Sequence, residues 1–242
     1  MSRTIVTFNG VDLTASYYVS DLRTPLLPRE LGMQEVPGRD GMLFTGTRLA
    51  KRTIQLRFTT MSKDMATRRA AARALASILA VDEPKPLNIS VDGDLYYMAV
   101  PNSPGEDTNW MNATSFEVDF ECPDPVAYGE KKTLTVPSGG SLTFTVNGTY
   151  PTMPKISVAS AANTEVYWLL SLENGDFFAV TLPAGVGAVP IVADCEQRTL
   201  KVNGSVAMLQ PYADWLVFAP GQHRLTMDGT GAATIEYYER WL

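Results

Sequence analysis

Hydrophobic and polar positions alternate with a period of two along most of the chain, in short runs rich in Val, Ile, Thr, Phe and Tyr set off by Gly, Pro, Asn and Asp. In residues 53–59, Ile54, Leu56 and Phe58 fall on one side of a strand and Gln55 and Arg57 on the other. The same rule picks out Phe116, Val118, Phe120 and Cys122 in residues 115–122, and Leu142, Phe144 and Val146 in residues 141–146. One segment departs from it. Residues 62–80 hold seven alanines, no Gly or Pro, and apolar side chains at Met65, Ala72, Leu75, Ile78 and Leu79, a spacing that predicts a helix. Ser62 is the expected N-cap, Asp64 suits the positive end of the helix dipole, and Pro84 and Pro86 close the element. Arg68, Arg69 and Arg73 are expected to project from it as a basic face.

Length and charge divide this β-rich chain. At 242 residues it has room for one large domain or two ordinary ones. Residues 1–129 carry 13 basic and 16 acidic side chains, whereas residues 130–242 carry only 7 and 10. A seam is expected at about 123–131, where Pro123 and Pro125 stop a strand and Gly129 permits a turn. The second half reads as about eight short strands, separated by turns such as Pro137-Ser138-Gly139-Gly140, Glu173-Asn174-Gly175-Asp176 and Val202-Asn203-Gly204-Ser205. That spacing favours an antiparallel sandwich.

Composition then removes whole classes of chemistry. A single histidine, His223, and two cysteines, Cys122 and Cys195, cannot make a conventional zinc site, so no metal and no cofactor is expected. The net charge of −6 gives no protein-wide basic field for a nucleic-acid backbone. The opening residues lack the apolar run of a signal peptide and no stretch has the length of a membrane span, so a cytosolic chain with no membrane partner and buried free thiols is expected. His223 reads as a turn residue at the start of a strand rather than a catalytic base, and Glu173 and Asp176 flank an Asn-Gly hairpin turn rather than a scissile bond. Among Trp110, Trp168, Trp215 and Trp241, an exposed indole would offer a sugar platform, while Trp168 and Trp215 read as core. No enzymatic activity is expected.

Two charged features point instead to assembly. From Arg48 to Arg73 eight bases, among them Lys51, Arg52 and Arg57, face one acid, a local +7. Conversely, Glu117, Asp119 and Glu121 stand two residues apart on one face of one strand, where like charges repel unless solvent screens them or bases face them. Such bases could come from the same subunit or from the next. Residues 28–49, turning around Pro37-Gly38-Arg39-Asp40-Gly41, read as an extended hairpin arm with little core of its own, folded back on its subunit or pairing with another chain. The candidate interface residues are therefore Arg39, Asp40, Arg48, Lys51, Arg52, Arg57, Glu117, Asp119 and Glu121.

Several further stretches stand out along the chain. They are Ile5-Val6-Thr7-Phe8-Asn9-Gly10, Val36-Pro37-Gly38-Arg39-Asp40-Gly41 leading to the strand around Ile54, the helix end Leu75-Ala76-Ser77-Ile78-Leu79, and Leu95-Tyr96-Tyr97. Further on come Phe120-Glu121-Cys122-Pro123-Asp124-Pro125, Asn147-Gly148-Thr149-Tyr150-Pro151, and the finish Tyr237-Tyr238-Glu239-Arg240-Trp241-Leu242. Together these stretches resemble the distal tail (Dit) proteins of siphophages and related prophages, and the resemblance implies a mainly β chain: residues 1–129 as a split-barrel-like β domain with one helix and a projecting hairpin, and residues 130–242 as a galectin-like antiparallel β-sandwich. It further implies a homo-hexameric ring joining the tail tube protein to a tail-tip or baseplate hub protein, at the virion tail tip after assembly in the host cytoplasm, with DNA only as cargo through the opening. The galectin likeness carries over no sugar-ligating residue. A carbohydrate-binding module attaching a tail or an enzyme to cell-surface glycans is the alternative reading.

Overall fold

The computed structural model describes residues 4–102, 108–110, 112–161, 167–182 and 187–242, without the side chains of 108–110 and 167. These divide into two units, Met1–Ala127 with Leu242, and Tyr128–Trp241. The first unit contains β1 (Val6–Phe8), β2 (Val11–Asp12), β3 (Tyr18–Arg23), β4 (Arg29–Glu35), β5 (Met42–Leu49) and β6 (Arg52–Met61). They are followed by α1 (Met65–Leu79), β7 (Lys85–Ile89), β8 (Tyr96–Asn102), β9 (Thr108–Trp110) and β10 (Ala113–Cys122). Its strands run β2-β1-β7-β8-β10-β6-β3, with β9 on the side of β10, while β4 and β5 form a separate two-stranded sheet.

The period of two is realised directly in β6 and β10. Ile54, Leu56 and Phe58 are buried while Gln55 and Arg57 face outward, and β10 buries Phe116, Val118, Phe120 and Cys122. The two strands pair antiparallel in unbroken register from Ala113↔Met61 to Cys122↔Arg52. With both apolar sets on one side, Phe8, Leu13, Leu87, Ile89 and Ala99 complete the core beneath them.

The helix is shorter at its start than the sequence implied, and its cap differs. Asp64, not Ser62, is the N-cap: its carboxylate accepts from the Ala66 and Thr67 amides at 3.2 and 2.9 Å, and from the Thr67 hydroxyl at 2.7 Å. Those bonds, the Thr67 hydroxyl foremost, hold the Asp64 carboxyl below its usual range. Ser62 stands two residues further out, accepting from the Asp64 amide at 3.1 Å. Arg68 also departs from expectation. Its guanidinium is buried and donates to the Ala113 carbonyl at 3.2 Å, so the exposed basic face of α1 consists of Arg69 and Arg73.

The second unit contains β11 (Ala127–Val136), β12 (Ser141–Val146), β13 (Lys155–Ala161), β14 (Tyr167–Leu172), β15 (Phe177–Thr181) and β16 (Val189–Asp194). After them come β17 (Thr199–Val202), β18 (Ser205–Val206), β19 (Gly221–Asp228) and β20 (Ala233–Trp241). One layer is ordered β18-β17-β16-β13-β20-β11 and the other β12-β19-β14-β15. A shared apolar core that includes Trp168, Phe178, Phe218, Ile156, Ile191 and Ile235 fills the unit. The two-residue β18 is too short to register as alternation, which is one reason the strands outnumber the eight expected.

The expected turn at Gly129 is instead part of β11. Pro123 and Pro125 do end β10, but the chain re-enters a strand at Ala127. A side chain at Gly129 would press on the Trp241 indole and on Glu239 of β20, so this glycine serves a close approach between strands. Gly148 does the same where residues 147–150 join β20. The Thr149 and Tyr150 amides both donate to the Arg240 carbonyl, at 2.9 and 3.0 Å, and a Cβ on Gly148 would collide with that carbonyl. The Arg240 guanidinium is stacked at 5.4 and 5.5 Å on the Tyr128 and Tyr150 rings. The Asn147 side chain donates to Glu239 at 2.9 Å.

In the first unit a buried arginine secures the root of the hairpin. Arg52 is 4% exposed, donates to the Pro125 carbonyl at 2.7 Å and to the Pro25 carbonyl at 3.1 Å, and lies 5.4 Å over the Tyr97 ring. Burial pushes the Tyr97 phenol up to about 12. Pro25 precedes β4 and Arg52 follows β5, so one guanidinium ties both chain ends of the arm to the core.

Arg52→Met retains the apolar stem but removes two bonds to a charged donor, each worth about 1.5–3 kcal/mol. Urea denaturation should show that loss, with faster proteolysis between residues 24 and 51. Gly148→Ala should cost about 1–3 kcal/mol by overpacking, read as a lower thermal midpoint; an unchanged midpoint would contradict the close approach. Cys122 and Cys195 are both buried and free, and burial pushes each thiol up to about 12. An unfolded thiol ionises near pH ~8.5, so unfolding releases protons above that value. Stability should be intact below it and fall as the pH rises toward 12. Both thiols should resist alkylation at pH 8 until denaturant is added.

Candidate interaction surface

The outward face of β3, β6 and β10 is a set of polar rows. The β6–β10 register sets Arg57 opposite Glu117, Gln55 opposite Asp119 and Thr53 opposite Glu121, and β3 adds Asp21 beside Arg57 and Arg23 beside Gln55. Two of the three stacked acids of β10, Glu117 and Glu121, thus meet bases of their own subunit. Glu117 is ion-paired with Arg57, and by accepting a hydrogen bond it raises the guanidinium above its ordinary value. Glu121 accepts from Lys51 at 2.8 Å and from the Thr53 hydroxyl at 3.1 Å. Asp119 faces the neutral Gln55, and Asp21 pairs with Arg23 at 2.9 Å. These pairs are solvent-exposed to different degrees and open to screening by salt, so they order the face more than they stabilise it.

The arm is built from β4 and β5, closed at its base by the Ala50 amide donating to the Pro28 carbonyl at 3.0 Å. Arg39 and Asp40 are exposed at its tip, and Arg48 is ion-paired within the arm to Glu30, Nε to Oε2 at 2.7 Å. Opposed residues share a face of an antiparallel ribbon, so the pairs Met33↔Phe44 and Glu35↔Met42 place three large apolar side chains and one carboxylate together. Met33, Met42 and Phe44 are 52, 58 and 60% exposed. Halfway along, Gly32 opposes Gly46 and the register shifts by one, with Thr45 as the extra residue of a bulge. A Cβ on Gly32 would strike the Thr45 hydroxyl.

Of the nine candidate residues, Arg39, Asp40 and Arg48 lie on the arm, Lys51, Arg57, Glu117, Asp119 and Glu121 lie on the charged face, and Arg52 belongs to neither. Being buried, Arg52 holds the arm's root and is withdrawn from the side chains a neighbour could touch. Charge reasoning missed the apolar arm residues, whose signal was Met42-Leu43-Phe44 in a segment with no second apolar layer.

The positions considered for reaction chemistry have structural settings. His223 lies within β19 with Nε2 2.6 Å from the Ala219 carbonyl and its ring against Phe144 and Phe218. Asn174 bridges the hairpin turn, donating to Asp176 at 2.7 Å while Gly175 takes φ +95°. Trp168 is fully buried and Trp215 and Trp241 are half-buried; the Trp110 side chain lies outside the described residues.

The phage tail protein RIFT-related domain matches residues 14–122, inside the first unit, and the siphovirus-type tail component, C-terminal domain, matches residues 147–241, inside the second. The fold is that of the Dit protein of phage SPP1, described as a paradigm of hub adsorption apparatus in Gram-positive infecting phages, at TM-score 0.82 and 19% identity over 100% of both chains. Chains of the phage p2 baseplate in its activated conformation are more distant: TM-score 0.49 and 7% identity over 97% of each chain with strontium, and 0.46 and 9% over 98% with calcium. No curated protein matches by sequence. With the two tail domains in this order over most of its length, the chain belongs to the distal tail (Dit) family of siphophages, proteins of the virion tail.

Proposed function

We propose that six copies of this chain close into a ring that joins the tail tube to the tail-tip or baseplate hub, as a non-enzymatic adaptor acting through protein contacts alone. The observation that carries this reading is the arm. Among the described residues its two strands pair only with each other, and Leu31, Met33, Met42, Leu43 and Phe44 are all 42–60% exposed. Burying a large apolar side chain is worth about 1.5–3 kcal/mol, so such an arm gains far more from an adjacent copy than from water. A contact between an arm and a different patch on the next copy is heterologous, and repeated with a closing rotation it makes a ring. DNA is then cargo through the opening, because a chain of net charge −6 offers little hold on a phosphate backbone.

Solution mass combined with negative-stain imaging tests this. The full chain, alone or with its tail partners, should give a holed six-fold particle. Replacing residues 29–49 by a short Gly-Ser bridge between Pro28 and Ala50, whose backbones already meet at 3.0 Å, should leave a folded monomer with the same far-ultraviolet spectrum outside the arm's contribution. Rings that persist without the arm, or substrate turnover by the isolated chain, would overturn the reading.

A further inference from the structure

A cavity of about 180 Å³ opens on the outward face of the layer that contains β16, β13, β20 and β11, within the second unit. Strand register sets its lining. Lys155 lies opposite Asp194 on one side and Glu236 on the other, and Lys131 of β11 reaches Glu236, so charges of alternating sign cross these strands in one row. Lys155 pairs with Asp194 at 3.6 Å and Lys131 with Glu236 at 2.8 Å. Alternation continued along the chain puts Met153 and Tyr238 next on the same face, and both line the cavity. One step beyond stand Glu196 and Arg240, paired at 3.6 Å. An apolar strip is thus bordered by charge on both sides.

The lining is held in place by the unit itself. One Asp194 oxygen accepts from the Glu196 and Gln197 amides at 3.1 and 3.0 Å, leaving the other to Lys155. The Cys195 amide donates to the Pro154 carbonyl at 3.1 Å, which ties the Met153 segment to the turn after β16. The Tyr238 ring stands at 87° to that of Tyr128, with centroids 6.1 Å apart, a contact that orients it and leaves the residue 39% exposed.

Charge and hydrogen-bonding capacity then select the ligand. Lys131, Lys155 and Arg240 cancel Asp194, Glu196 and Glu236, so a ligand with net charge meets no excess of counter-charge. Hydrogen-bonding capacity is not used up in the same way: an ammonium has three donors and a carboxylate about four acceptor positions, and an ion pair occupies only part of each. A hydroxyl donates and accepts at once, so neighbouring hydroxyls on one ring can bridge a Lys–Glu pair without parting it, through bonds that charge strengthens. The strip of Met153 and Tyr238 suits the apolar face of the same ring. A molecule with hydroxyls at its rim and C–H groups on its face is a saccharide, and a volume below the about 300–1,000 Å³ of drug-sized sites suits a single ring.

We infer that this cavity binds one neutral sugar ring, stacked on Tyr238 beside Met153, with its hydroxyls held by the Lys131–Glu236 and Lys155–Asp194 pairs. The sugar platform that the sequence suggested for an exposed tryptophan falls instead to a tyrosine. The site lies within one second unit, so it goes beyond the adaptor reading and does not depend on ring closure.

The test titrates the full chain, labelled at its methionine methyl groups, with glucose, galactose and N-acetylglucosamine, followed by NMR. At least one sugar should shift the Met153 signal saturably by about 10 mM, well above a Kd of about 1 mM. Glu236→Gln, which keeps the size and removes the charge, should weaken that binding about 10-fold, and Tyr238→Ala by at least as much, with unchanged far-ultraviolet spectra. Tyr212→Ala, at an exposed side chain outside the cavity, should leave it unchanged. Comparing the best sugar with its methyl glycoside identifies the source: preference for the glycoside assigns a residue of a glycan chain, preference for the free sugar a soluble ligand, and either supports the site. An absence of saturable shifts with all three sugars would overturn the inference. So would binding that survives both Glu236→Gln and Tyr238→Ala, or tighter binding of glucose 6-phosphate or glucosamine than of glucose. Each of those failures leaves the ring standing.

Discussion

The first unit depends on one register, that of β6 against β10. Ten consecutive pairs run without a bulge, and from Phe116↔Phe58 to Glu121↔Thr53 apolar pairs facing inward alternate with polar pairs facing outward. A slip by one residue would turn Arg57 and Gln55 into the core and bring Ile54, Leu56 and Phe58 to the surface. The burial of those residues holds the pairing in place, and three further features are consequences of it. Arg57 lies against Glu117, Lys51 and Thr53 converge on Glu121, and Arg52 enters the interior at the start of β6.

Arg52 links this core to the part of the molecule with no core. The arm is a two-stranded ribbon, a form that is marginal in water when isolated, and within its own chain it is held by ladder bonds, the Arg48–Glu30 pair and its anchored root. A firm root with an apolar outer half suits the contact between copies proposed above. The family assignment places that arrangement in a virion tail.

How far the sequence could be read follows from the range of the interactions involved. Alternation in β6, β10 and β12 was legible because the two faces of each strand differ sharply in chemistry. The Asn174-Gly175 turn was legible because its conformational demand is local. Arg52 and Arg68 were misjudged because a guanidinium looks the same in sequence whether solvated or buried. What decides is carbonyl oxygens from residues 73 and 27 positions away for Arg52, and 45 positions away for Arg68. Gly129 read as a turn because glycine is ambiguous between a positive φ and a close approach, and its partner Trp241 lies at the far end of the second unit. The stacked acids of β10 suggested a charged neighbour, but sequence could not say that Arg57 of the same sheet would meet the first of them. The helix was found from its periodicity, which is a local signal.

The paired glycines Gly32 and Gly46 give the arm a waist. With no side chains there and a bulge immediately beyond, the proximal and distal halves are coupled by little except backbone hydrogen bonds. This geometry leaves room for the distal half to pivot while the proximal half stays fixed to its root. In the ring proposed above, such compliance would spread a mismatch in angle over every joint, so that the aperture could dilate or tighten while the arms keep their hold.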